Sequence, residues 1–232
     1  MGMRIFETDP DAKPKPRNTF ADDTVGRVHS GKAVDNMPVV LDNWRFSTGD
    51  REVADAVAQL FGGVPVETES TSENYIDVET TSPSFLVVLD GPGAIYSDMK
   101  LWNRNQLVHH CDGVEFLSPD EDKGMRCGCP ATLAERKERA KRFAGPKPAI
   151  SLTFRLAEDY DLGKFRFQSG AWTLAEVLHE AEEALSRVEG EALASLTLEL
   201  VEYTTKAGRA VSYRKPVIKV IKSYNSAVAD ER

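Results

Sequence analysis

WRFSTG (residues 44–49) recurs as FRFQSG (residues 165–170). Each copy ends an alternating, strand-like run and leads into an amphipathic helical pattern. After the first copy Val53, Val57, Leu60 and Phe61 recur at helical spacing, with Asp50 as N-cap and Gly62 as stop. After the second, Leu174, Val177, Leu178, Ala181, Leu185 and Val188 form an apolar stripe. Thr173 with Glu176 reads as its capping box and Gly190 as its stop. Strand-like runs precede both copies, TVGRVHSG (24–31) and ISLTFRLA (150–157). Two more follow each helix. NYIDVETT (74–81) and SFLVVLDG (84–91) are split by a Ser-Pro turn, and SLTLELVEYTT (195–205) and VSYRKPVIKVI (211–221) by a short Gly-containing gap that reads as a hairpin. The expectation is an α+β fold of two ββαββ units related by an internal repeat, residues 24–145 and 146–225. Residues 1–23, with Pro10, Pro14 and Pro16 among charges, read as an extended or disordered arm, and 226–232 as a disordered tail.

Between the repeats lies HHCDGVEFLSPDEDKGMRCGC (109–129), which holds all three cysteines and two of the four histidines. Zinc takes thiolate and imidazole ligands tetrahedrally, and a closed Cys3His site is structural. Cys111, Cys127 and Cys129 supply three ligands, with either His109 or His110 as the fourth. A metal there would clasp a loop whose acidic stretch SPDEDKG cannot form a core of its own. The alternative is three reduced cysteines at strand ends beside incidental histidines. The His-x-Glu and Pro-Cys-x-x-Cys elements of a zinc deaminase are missing, so the clasp is read as structural. TLAERKERAKRF (132–143) follows as a charged helix, with Thr132 and Glu135 as capping box and Leu133, Ala140 and Phe143 as its apolar anchors. AGPKP (144–148) reads as a linker.

Composition narrows the functional classes. The chain is 41% hydrophobic and 28% charged, which suits an ordinary globular protein. Its longest apolar runs, such as Phe85 to Leu89, are too short to span a bilayer, and MGMRIFETDP has no apolar signal region. An odd number of cysteines suits a reducing cytoplasm. A net charge of -8 argues against nucleic acid as the main partner. That charge is segregated: residues 50–98 carry ten acids and one base, residues 131–148 six bases and two acids, and residues 206–222 six bases and no acid. Such segregation can steer a protein interface.

Catalytic motifs are not evident. Asp90-Gly91-Pro92-Gly93 reads as a turn, because Pro92 removes an amide that a phosphate would need. Asp159 with Asp161, and Glu182 with Glu183, read as solvated charge, and His29 and His179 stand alone. A protein without enzymatic chemistry is expected. If single-stranded DNA were bound, Trp102 between Lys100 and Arg104, and the group Tyr213, Arg214 and Lys215, would be the contacts.

Several blocks together resemble the phage recombination directionality factors of the Streptomyces temperate-phage type, which partner the large serine integrases. They are RIFETDPDAKPKPR (4–17), LDGPGAIYSDMKLWNR (89–104) with CDGVEFL (111–117), CGCPATLAERKERAK (127–141), SLTFRLAEDYDLGKFRFQSGAW (151–172) and LELVEYTTKAGRAVSYRKPVIKV (198–220). The resemblance runs over nearly the whole chain and keeps the order of the blocks. It implies a regulator in the cytoplasm of a bacterial host that binds an integrase, redirects its coiled coils, permits attL x attR excision and inhibits attP x attB integration. No sequence-specific DNA contact and no membrane are implied, and the protein is expected to be monomeric alone. The charged helix, through Arg136, Arg139 and Arg142, is the expected partner-binding surface. The alternative is a phage DNA-metabolism protein that binds single strands.

Overall fold

A computed structural model describes residues 24–34, 37–206 and 208–230. The expected arm, residues 1–23, lies outside them. Among the described residues one mixed sheet of twelve strands carries four helices, and no helix is long and apolar enough to cross a membrane. The α+β class is as read from the sequence.

The repeated hexapeptides occupy equivalent places. β1 (Gly26–Val34) and β2 (Met37–Thr48) form a hairpin, as do β9 (Lys147–Leu156) and β10 (Lys164–Ser169). WRFSTG ends β2 and FRFQSG ends β10. The two hairpins join side by side through β1 and β10, which run parallel, with Val28 opposite Phe167. Alternation explains the burial: Trp44 and Phe46 on β2, and Phe165 and Phe167 on β10, all point into one core.

Each hairpin is followed by its helix. α1 (Arg51–Phe61) starts at Asp50, whose carboxylate accepts the Glu52 N–H at 2.8 Å, and buries Val53, Ala54, Val57 and Phe61, while Leu60 stays exposed. The charged helix α2 (Leu133–Lys141) lies in the connection between the two halves. α3 (Trp172–Ser186) buries Leu174, Leu178, Ala181 and Leu185. The Thr173–Glu176 capping box does not form: Trp172 is already helical after the N-cap Ala171, and Glu176 pairs with Lys137 of α2 instead. The helix also ends before Gly190, with Arg187 as its C-cap.

The strands after the helices depart from the expected symmetry. β4 (Ile76–Glu79) pairs with β2 and with β3 (Pro65–Glu67). β5 (Ser84–Asp90) leaves that neighbourhood and inserts between β9 and β11 (Glu191–Thr204), while β12 (Ala210–Ser223) pairs with β11. The two halves therefore do not close as separate units. The segment before β5 completes the link: Thr80 N–H bonds Trp44 O at 2.9 Å, and Leu198 N–H bonds Pro83 O at 2.7 Å. The sheet curls until β2 meets β11 around one core that both α1 and α3 cover. Lys147 and Pro148, expected in a linker, open β9, and Asp90–Gly93 turns as expected, through a short 3-10 turn at Pro92–Ala94. The expected disordered tail is in part a helix, α4 (Tyr224–Asp230), because Ala227 packs down and Tyr224 stacks on Tyr160 with centroids 5.6 Å apart.

One isolated histidine acquires a pH-dependent role here. Burial, with the Arg45 charge beside it, drives the His29 pKa from 6.5 down to about 4 against the opposing pull of Asp77. The unfolded chain takes up that proton near pH 6.5 and the folded chain only near pH 4, so the stabilisation is full above 6.5 and is lost as pH falls towards 4. The loss amounts to about 3 kcal/mol. Denaturant titrations across this window should show the slope in the wild type and a flatter line in His29→Gln. Equal slopes in both would remove His29 as its source.

Candidate functional site

Three strands that branch from the sheet build the candidate site. β6 (Ile95–Asn103) pairs with β9, β7 (Gln106–Cys111) with β6, and β8 (Phe116–Ser118) with β7. Side chains alternate along β7, so His109 and Cys111 share one face and His110 takes the other. Cys127 and Cys129 come from the loop before α2. Gly128 between them sits at φ 69, a backbone region that favours glycine, and turns the chain so that both sulfurs reach one point. The ligand atoms of His109, Cys111, Cys127 and Cys129 all lie within 4.8 Å of one another.

Two of the spacings match a tetrahedral ion. With metal–sulfur bonds of about 2.3 Å and metal–nitrogen bonds of about 2.0–2.1 Å, the tetrahedron has sulfur–sulfur edges of about 3.8 Å and sulfur–nitrogen edges of about 3.6 Å. Cys111 Sγ and Cys129 Sγ are 3.8 Å apart, and Cys129 Sγ lies 3.5 Å from His109 Nε2. Burial pushes the Cys111 thiol up to about 12 and raises that of Cys129. Without a cation these two groups keep their protons at neutral pH. Burial, then the Arg139 and His110 charges, lowers the His109 pKa, which keeps the ring neutral and able to ligate. The cluster can thus hold a metal, and thiolate ligation would release the thiol protons.

His110 is not in the cluster. Its Nε2 meets Asp98 Oδ2 at 2.7 Å and its Nδ1 meets Ser118 Oγ at 2.9 Å. Asp98 is buried on β6, and Lys100 Nζ also reaches its Oδ2 at 2.7 Å. Ser118, His110 and Asp98 stand in the order of a hydrolase relay, but they join β8, β7 and β6 and share the carboxylate with Lys100. The group anchors β6, β7 and β8 to one another.

α2 sits against the clasp through Arg136 more than through apolar packing. Its Nε donates to Pro130 O at 2.6 Å and an Nη to Gly113 O at 2.7 Å. A Cβ at Gly113, where φ is 102, would lie 2.5 Å from the other Nη. Arg136 is therefore engaged inside the module, whereas Arg139 and Arg142 are exposed. Thr132 caps α2 as expected, accepting the Glu135 N–H at 3.3 Å. Of the expected anchors only Ala140 is buried, while Leu133 and Phe143 are 42% and 80% exposed. α2 ends at Lys141, so Phe143 is beyond the helix and off its inner face.

The other sequence-derived sites are scattered. Trp102 is 55% exposed near the turn between β6 and β7. Tyr213, Arg214 and Lys215 lie far along the chain on β12, where Arg214 meets Asp42 at 3.1 Å and Lys215 meets Glu199 at 3.0 Å. Trp44 is a core residue, and Asp159 accepts the Leu162 N–H in a turn. Sequence reasoning missed the Asp98–His110–Ser118 anchor, whose one signal is the alternation along β7.

No solved structure matches the chain. A family model described as Gp3-like, recombination directionality factor-like, matches residues 25–221.

Proposed function

The chain belongs to the recombination directionality factor-like family, which gives it a recombination-related role, and on that premise we propose that it binds a large serine integrase and switches it from attP x attB integration to attL x attR excision. The family match across residues 25–221 carries this reading. The protein acts without chemistry of its own. A modulator of this kind has only to bind one synaptic arrangement of the integrase better than another, since equal affinity for both shifts nothing. The integrase's coiled-coil region is the element it engages, and it works as a monomer in the cytoplasm of the bacterial host.

The metal in this reading is zinc, held by His109, Cys111, Cys127 and Cys129. Zinc supplies rigidity here: it ties the end of β7 to the loop that launches α2. Three thiolates and an imidazole, with no open position, suit a structural ion better than a catalytic one.

The test uses the purified protein, the integrase of the same phage, and attL and attR substrates. Excision should occur with the protein present and not in its absence. If an integrase active on attP and attB gives no excision with it, the proposal fails and single-stranded DNA binding becomes the reading to pursue.

A further inference from the structure

We infer that Arg136 is the positioning residue of the metal site, and that it couples occupancy of the site to the docking of α2. The inference rests on the zinc reading above and extends it from the four ligands to the helix beside them.

α2 does not hold itself in place. It is nine residues long, and helices shorter than about 12–15 residues are marginal in water on their own. Six of the nine are charged, and Ala140 is its one buried residue. Lys137 pairs with Glu176 of α3, but both side chains are about a third exposed, and such surface pairs contribute little. The burden of docking therefore falls on Arg136.

Arg136 grips the backbone behind two ligands at once. Its Nε bonds the carbonyl of Pro130, the residue after Cys129, at 2.6 Å. An Nη bonds the carbonyl of Gly113, two residues past Cys111, at 2.7 Å. Cys111 and Cys129 are the pair whose sulfurs stand 3.8 Å apart. One rigid guanidinium thus joins the strand-borne ligand to the loop-borne ligand, a task for a planar fork of donors rather than a single ammonium.

Charge points the same way. Three thiolates around a divalent ion leave a net negative charge. Among the described residues the bonds of Arg136 go to two carbonyls and, at 3.7 Å, to Met99 Sδ, so no carboxylate cancels its positive charge. The loaded site and the guanidinium therefore favour each other. Groups that support metal ligands from outside typically change metal affinity by about 10–100-fold when removed. By reciprocity, whatever Arg136 and its helix do for the ion, the ion does for the helix.

The experiment uses the full chain as wild type, Arg136→Met and Arg136→Lys. Zinc affinity is read by competition with a chromophoric chelator, and hydrogen exchange is followed with and without zinc. Arg136→Met should bind zinc about thirtyfold more weakly, and Arg136→Lys, which keeps the charge but loses the fork, should fall between it and the wild type. In the wild type, removing zinc should lower the protection of α2 amides by about the same thirtyfold. In Arg136→Met that protection should be low whether zinc is present or not. Amides of β10 should stay protected throughout, which marks each variant as folded. Arg136→Met with wild-type zinc affinity and a loosened α2 would overturn the inference, since Arg136 would then only pack the helix. Wild-type α2 protection that ignores zinc would overturn it too, while leaving the zinc clasp standing. A wild-type protein that binds no zinc would end the zinc reading and this coupling together.

Discussion

On the zinc reading proposed above, Cys111→Ser should leave the purified protein without stoichiometric metal and with an open clasp. Cys111 is fully buried at the centre of the cluster, where its thiol has both Cys129 and Cys127 as neighbours. A serine hydroxyl does not ionise to a ligand near neutral pH, so the remaining set is two thiolates and one imidazole. Structural zinc sites hold their ion with about 10–16 kcal/mol of apparent free energy, and much of that is folding energy of the part they clasp. Loss should therefore be local and large. Amides such as Cys127 N–H, which bonds Val114 O, should lose hydrogen-exchange protection, while core amides such as those of β10 retain theirs. Elemental analysis with hydrogen exchange reads both. Metal content unchanged in Cys111→Ser, or wild-type protein indifferent to a strong chelator, would remove the clasp from the account.

Trp44→Ala should be the most damaging change in the core. Trp44 is fully buried, edge-on to Phe167 at 5.2 Å and to Phe85 at 5.5 Å, so it touches β10 and β5 from β2. Its Nε1–H donates to Pro83 O at 2.9 Å. That carbonyl also takes Leu198 N–H, so it is not orphaned when the indole goes, and the cost is mainly the emptied volume. Such truncations cost about 3–5 kcal/mol. For a chain of this size that corresponds to a fall of about 6–20 °C in melting temperature. Trp44→Phe should cost less than half as much, since a ring still fills the space. A calorimetric scan of Trp44→Ala within a degree or two of wild type would show that β2 is not the joint described here.

What could be read from the sequence was whatever local pattern decides. The alternation around WRFSTG and FRFQSG, and the helical stripes after them, correctly place β2, β10, α1 and α3. The destination of β5 was not legible. A Ser-Pro break between two strand-like runs looks like a hairpin, whereas bonds from Thr80 to Trp44 and from Pro83 to Leu198 send the chain elsewhere. Those are long-range choices, and no neighbouring residue announces them. The clasp shows a similar division. Clustering revealed its residues, and the choice of His109 over His110 lay in the period of two along β7, which places His109 and Cys111 on one face. Arg136 carries no such mark: only the positions of Pro130 O and Gly113 O show that its charge is spent internally.

The route of β5 also sets an order of events during synthesis. Its apolar stretch Phe85 to Leu89 leaves the ribosome early, but its partners are Leu156 and Arg155 on β9 and residues up to Glu191–Thr197 on β11. Until those emerge, a nascent chain holds a sticky strand with two unpaired edges. The cysteine–histidine module, with Arg136 of α2, is complete once Lys141 is out, well before β11 exists. A growing chain can thus acquire one finished lobe, beside the strand that is still waiting, while the sheet's core must be assembled after release of the last hairpin. Slow, late closure is the folding behaviour this topology dictates.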